Sequence, residues 1–146
     1  MNGFDNVTTY NTALSDEVNV LKMENLQYHS EVDINIGNAH LDACYDNGYN
    51  LVNVNTLDSY NFENVSVLKI DVQGYEPRVL DGAKETINKH KPTIFIEVEE
   101  PQLSVYGMQS KDIFERLDAL GYEYKKTIDA SHLVDYVATP SNVGKN

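Results

Sequence analysis

The chain has 146 residues, 41% of them hydrophobic and 23% charged, and a formal net charge of −12. That length suits one domain with a real core. Such an acidic balance repels phosphate backbones and anionic membrane surfaces, which excludes nucleic acid as an expected partner. No apolar run approaches the ~20 residues of a membrane span. Met1 to Asn11 reads as neither a secretory signal nor a transit peptide, because it has no basic region and no apolar stretch. Cys44 is the single cysteine, so an intrachain disulfide is impossible and a reducing, cytoplasmic setting is expected. The four histidines are scattered and no CxxC or HxxxH spacing occurs, so no metal site is expected.

In chain order, Val7 to Leu14 is β-branched and aromatic and predicts a strand. Val18 to Met23 and Val32 to Ile36 alternate apolar and polar residues, the pattern of half-buried strands, and are expected to pair as an extra hairpin. Gly37 to Asn50 reads as loop, with Asp46-Asn47-Gly48 as a turn. Leu51 to Val54 is a short strand, and Thr56 to Tyr60 opens a short helix or turn. Val65 to Val72 is a nearly continuous apolar run, which predicts a parallel strand covered on both faces.

Glu76 to Lys89 predicts one helix. Pro77 lies in its first turn, and Val79, Leu80, Ala83 and Ile87 share a face. Thr93 to Val98 predicts a second buried strand. Ser110 is the expected N-cap of a helix from Lys111 to Leu120, with Gly121 as its stop. Tyr122 to Ile128 and Leu133 to Ala138 predict a closing antiparallel hairpin. The expected whole is one domain over residues 1–140 with a frayed tail at 141–146. Strand and helix alternate, which predicts an α/β layered fold with a right-handed crossover in its middle.

The segment from Val65 to Glu100 resembles the signature of the FkbM family of methyltransferases. Its matching residues are Lys69, Ile70, Asp71, Val72, Gly74, Glu76, Val79, Leu80, Gly82, Ala83, Pro92 and Glu97. Upstream, Asn6-Val7 with Ala13-Leu14-Ser15-Asp16, and Thr56-Leu57-Asp58, resemble two further elements of that family. Gln73 stands where the family usually has an acid. The family's first strand, its glycine-rich D-x-G-A-x-x-G loop and its second strand have no counterpart, and Asn35 to Asn38 does not replace them.

The resemblance implies a partial class I methyltransferase (Rossmann-like) fold: a three-layer sandwich whose mostly parallel sheet ends in an antiparallel strand pair. It implies S-adenosyl-L-methionine as cofactor in the intact domain and O-methylation of a sugar or small-molecule hydroxyl, so the expected partner is a small-molecule or glycan acceptor. The competing expectation is a catalytically inactive fragment or interaction module. An exposed sheet edge would then favour self-association or a partner chain.

Ligands of open α/β sheets bind beyond the carboxyl ends of the strands. Asp71 and Glu97 close two strands expected to be neighbours, and both are expected to face one crevice with Gly74 and Glu76. The catalytic candidates are therefore Asp71, Glu97 and Glu76, since methyl transfer to oxygen needs the acceptor proton removed or shared. Cofactor-binding candidates are Ala13, Leu14, Ser15, Asp71 and Gly74. The bland alternative for Asp71 and Glu97 is loop capping at strand ends, and for Glu76 a favourable dipole position before a helix. Asp58 reads as an N-cap. Of Tyr45, Tyr49, Tyr60, Tyr75 and Tyr106, most are expected to pack and some to line an acceptor pocket.

Overall fold

The computed structural model describes residues 4–24, 39–42, 49–127 and 135–141. In chain order these form β1 (Ala13–Leu14), β2 (Asn19–Glu24), β3 (Tyr49–Asn55), a 3-10 turn (Asp58–Tyr60), β4 (Val67–Ile70), α1 (Glu76–Asp81), α2 (Lys84–His90), β5 (Thr93–Glu97), α3 (Glu100–Ser104), α4 (Ser110–Ala119), β6 (Tyr122–Lys126) and β7 (Asp135–Pro140). The described residues form a mixed α/β structure with two sheets. One has the order β1-β3-β2 and the other β4-β5-β7-β6.

The expected mostly parallel sheet is corrected. Only β1 with β3 and β4 with β5 run parallel, whereas β2 with β3, β5 with β7 and β6 with β7 are antiparallel. Parallel neighbours need a long crossover, and α1 and α2 supply it between β4 and β5. The closing antiparallel pair forms as expected, with Tyr124 opposite Ala138. β2 pairs with β3, Leu21 opposite Val52. The expected Val32–Ile36 strand and the Asp129–His132 turn lie outside the described residues, as do Tyr45 and all of the expected frayed tail but Ser141.

The Val7–Leu14 strand shortens to two paired residues, Ala13 opposite Val54 and Leu14 opposite Asn55. Upstream, Tyr10 packs its ring against Tyr60 and Phe62 instead. β4 and β5 are covered on one face, not two. Ile70, Ile94 and Ile96 are buried with Val79, Leu80, Ile87, Leu103, Ile113 and Leu117 of the helices. On the other face Val67 is 57% and Phe95 40% exposed, and Lys69, paired with Phe95, is exposed too. The alternation was masked in the sequence because Val67 and Phe95 are themselves apolar. Burying a side chain such as Leu80 or Ile94 completely contributes roughly 1.5–3 kcal/mol, so this one covered face carries most of the core.

The single helix expected over Glu76–Lys89 is two. The Gly82 carbonyl accepts the Asp58 N–H at 3.0 Å. The Asp58 carboxylate accepts from Glu85 N at 3.0 Å and Thr86 N at 2.8 Å, which restarts the helix as α2. The N-cap expected at Asp58 is corrected: Ala83 is the N-cap residue of α2, and Asp58 serves its first turn from 27 residues away in sequence. A side chain at Gly82 would sit 1.9 Å from the Ser15 carbonyl oxygen, so the break is also where β1's exit loop touches the helix layer.

At α4 the N-cap is Gln109, not Ser110. Asp112 accepts the Gln109 N–H at 2.7 Å in a capping box. Gly121, at φ +76°, follows its last turn. Sequence reading missed α3, a helix of five residues that follows β5 directly and has Pro101 near its start.

Candidate active site

β4 ends at Ile70, and Asp71 to Tyr75 turn the chain into α1. Tyr75 N–H reaches the Val72 carbonyl at 3.3 Å. Between them Gln73 and Gly74 both adopt left-handed backbone, φ +53° and +94°. Glycine tolerates this; glutamine does so at a cost of roughly 1–2 kcal/mol. Glu76 closes the turn from inside. One carboxylate oxygen accepts Val72 N–H at 3.0 Å and Gly74 N–H at 3.2 Å. Glu76 is 1% exposed, and burial pushes its carboxyl above the usual range. Its observed contacts are those of a turn clamp.

Asp71 and Glu97 are brought together. β4 and β5 are parallel, Ile70 lies opposite Ile96, and the next residue on each strand is one of these acids. The Gln73 side-chain nitrogen donates to Asp71 Oδ1 at 3.2 Å and to Glu97 Oε2 at 3.1 Å. Asp71 also pairs with the Lys69 ammonium.

The two carboxyls differ sharply in character. Hydrogen bonding to Lys69 holds Asp71 below the ordinary carboxylate range, against the opposing effect of burial. Glu97 is 7% exposed. Burial, then the negative charges of Asp71, Glu99 and Glu76, push its carboxyl up to about 7. Two acids driven apart in this way are the pattern of a functional pair, one staying ionised and the other able to hold or take a proton near neutral pH.

A cavity of about 350 Å³ adjoins this cluster. Its wall is Thr12, Ala13, Leu14, Met23, Ala39, Leu41, Val72 and Tyr75, and Asp71 and Gln73 face it from the turn. Of the expected cofactor residues, Ala13, Leu14 and Asp71 therefore share one cavity. Ser15 stands apart: it is buried and its hydroxyl donates to Asp16 at 2.8 Å. Gly74 makes the expected sharp turn, and its tightest neighbour is the Gln102 backbone. Among the tyrosines, Tyr75 lines the cavity; Tyr60 packs with Phe62, Tyr106 with Tyr75, and Tyr49 lies under the Lys22 ammonium.

Sequence reading missed Thr12, Met23, Ala39 and Leu41 as cavity residues and the bridging role of Gln73. Nothing local signals the first four, which arrive from three separate segments. Gln73 carried one signal, its amide between two acids on converging strands.

A family model described as the methyltransferase FkbM domain matches residues 6–124. The chain belongs to the FkbM methyltransferase domain family. Among solved structures, a methyltransferase FkbM from Methylobacillus flagellatus KT is similar at 19% identity and a TM-score of 0.46. That match covers 61% of this chain and 23% of the other, so the chain spans about a quarter of its length. No match was found among curated protein sequences.

The FkbM motif residues divide by the work they do here. Leu80 and Ala83 are fully buried core, Gly82 touches the Ser15 backbone, and the Pro92 carbonyl accepts the Tyr122 hydroxyl at 2.8 Å. Glu76 clamps the turn. Asp71 and Glu97 are left with their carboxyls tied to the Gln73 amide, Asp71 and Gln73 lying on the cavity and Glu97 buried behind them. Among the described residues no group of three His, Cys, Asp or Glu is arranged to hold a metal ion, and no helix is long and apolar enough to cross a membrane.

Proposed function

We propose that the chain forms part of an S-adenosyl-L-methionine-dependent O-methyltransferase of FkbM type, acting on a hydroxyl of a sugar or other small molecule. The observation that carries this is the pair Asp71 and Glu97 joined by Gln73, with Asp71 and Gln73 lining the cavity whose wall includes Ala13 and Leu14. Family membership and the parallel β4–β5 pair support it. The single Rossmann-like layering of the intact domain and a cytoplasmic, reducing setting belong to the same proposal.

The residues present fit such a cofactor. Apolar side chains of Ala13, Leu14, Met23 and Leu41 offer a wall for an aromatic ring, and Asp71 offers negative charge to a sulfonium. When bound, the cofactor supplies an electrophilic methyl group and a thioether leaving group. Glu97 acts as the base: its ionised carboxyl takes the hydroxyl proton as the oxygen–methyl bond forms, and a base poised near neutral pH is the efficient one. Asp71 stays ionised, held by Lys69, and compensates the positive charge before transfer. Glu76 holds the turn that presents both.

Calorimetric titration of S-adenosyl-L-methionine into a chain carrying the rest of the FkbM domain tests the reading. Micromolar binding, weakened at least tenfold in Asp71→Ala with the circular dichroism spectrum unchanged, is the expected result. Equal binding by Asp71→Ala removes Asp71 from the site.

A second reading, an interaction module without cofactor, draws on the open side of β4. Among the described residues β4 pairs only with β5, beside exposed Val67 and Phe95. No heat on titration, together with a concentration-dependent dimer in sedimentation, would favour it.

A further inference from the structure

Among the described residues, Gln73 hydrogen-bonds both acids of the cluster. Its amide nitrogen has two hydrogens, and each is used: one on Asp71 at 3.2 Å, one on Glu97 at 3.1 Å. A glutamate here would place a third carboxylate against two others. An asparagine would be one methylene short of spanning them. The left-handed backbone at φ +53° is disfavoured for glutamine, and strain at such a position marks a residue retained for what it does. The backbone gains nothing from the side chain, because the turn is already closed by Glu76 and by the Tyr75–Val72 hydrogen bond.

We infer that Gln73 is a positioning residue whose amide ties Asp71 and Glu97 into one unit, fixing the ionised Asp71 beside the carboxyl that takes the proton. This rests on the methyl-transfer reading for its purpose, though not for its geometry. The charged groups facing Glu97 are Asp71 and Lys69 on the β4 side, Glu76 of α1, Glu99 just past β5, and Asp135 opposite it on β7. Lys69 is the sole cation in that set, and its ammonium is engaged by Asp71. The amide is a neutral donor bonded to both acids, and it can serve both without forcing either into a fixed charge. The amide bond to Asp71 draws that carboxyl down. The amide's second hydrogen goes to Glu97, whose carboxyl is nevertheless raised by burial and by the charges around it.

The test is a carboxyl-carbon NMR titration of the labelled chain, with no cofactor or acceptor present. In Gln73→Gly the backbone strain is relieved and the bridge is gone, so the chain stays folded while both acids lose a donor. Both midpoints are expected to rise by about one pH unit, the equivalent of one hydrogen bond to a charged group. Gln73→Asn, at ease in left-handed backbone but too short to span the acids, is expected to raise at least one of them. Midpoints unchanged from wild type in Gln73→Gly overturn the bridge, and so does an asparagine variant that titrates like wild type. Midpoints that shift in a chain that fails to bind S-adenosyl-L-methionine would retain the bridge and reject the methyl-transfer reading, so the two failures are distinct.

Discussion

Gly74→Ala is expected to destabilise the fold by about 2–5 kcal/mol, among the largest losses available at a single residue in this chain. Two costs combine. At φ +94° an L side chain pays roughly 1–2 kcal/mol. The added Cβ would lie 2.2 Å from the Gln102 carbonyl oxygen and 2.9 Å from the Leu103 nitrogen. Both are backbone atoms of α3, which cannot swing aside as a side-chain end can, and forced overpacking costs about 1–3 kcal/mol more. α3 is held in place by Leu103, which is fully buried, so relief means shifting the helix off the core. Gly107 supplies the control. It too has positive φ, +68°, but a Cβ there meets nothing within 4 Å, and Gly107→Ala should lose only the roughly 1–2 kcal/mol of backbone strain. Urea unfolding followed by circular dichroism measures both. Equal losses at the two positions would show that α3 does not press on the turn.

Much of this architecture could be read from residue order. β4, β5, β6 and β7 were legible because each carries an apolar or aromatic run bounded by turn residues, and α4 because Ile113 and Leu117 recur at helical spacing. What failed to show has a common cause in long-range contacts. The α1–α2 break depends on Asp58 reaching 27 and 28 residues along the chain, while the local sequence from Glu76 to Lys89 offers one breaking signal, Asp81-Gly82, in an otherwise helical pattern. The second sheet depends on β2 choosing β3 as partner, which alternation alone cannot specify.

In the candidate site, the meeting of Asp71 and Glu97 followed from strand order, since both stand one residue beyond paired isoleucines. The clamp made by Glu76 did not follow. A glutamate before a helix looks the same whether it faces a ligand or turns back to bind Val72 and Gly74 N–H groups, and only its burial separates the two. The cavity wall was legible at Ala13 and Leu14 through their motif and illegible at Leu41 and Met23, which a single β-bridge joins there.

Glu97→Gln is expected to lower turnover by about 10²–10⁴-fold in a chain carrying the rest of the FkbM domain, the usual contribution of a positioned base. It should also remove the rise of rate through neutral pH, because glutamine has no proton to lose. The same substitution has a signature in the chain alone. The Glu97 carboxyl is raised from an ordinary value of 4.5 to about 7 in the folded state. Between those values the unfolded chain has released this proton while the folded chain retains it, so stability falls as pH rises from 4.5 to 7 and is level above that.

The loss is of the order of a few kcal/mol. Glu76, raised by its own burial, adds to the same limb, so Glu97→Gln should flatten the slope without abolishing it. Asp16, Asp71 and Asp81 act in the opposite sense. Their carboxyls are held below 3.8, and the stability they contribute is lost only as pH falls through that region, which separates the two limbs. Urea midpoints for wild type and Glu97→Gln at pH 5 and pH 8 decide the matter. The variant should gain on wild type at pH 8 and converge with it at pH 5. Parallel curves at both values would mean that Glu97 is an ordinary carboxylate, and the base assignment would fall with it.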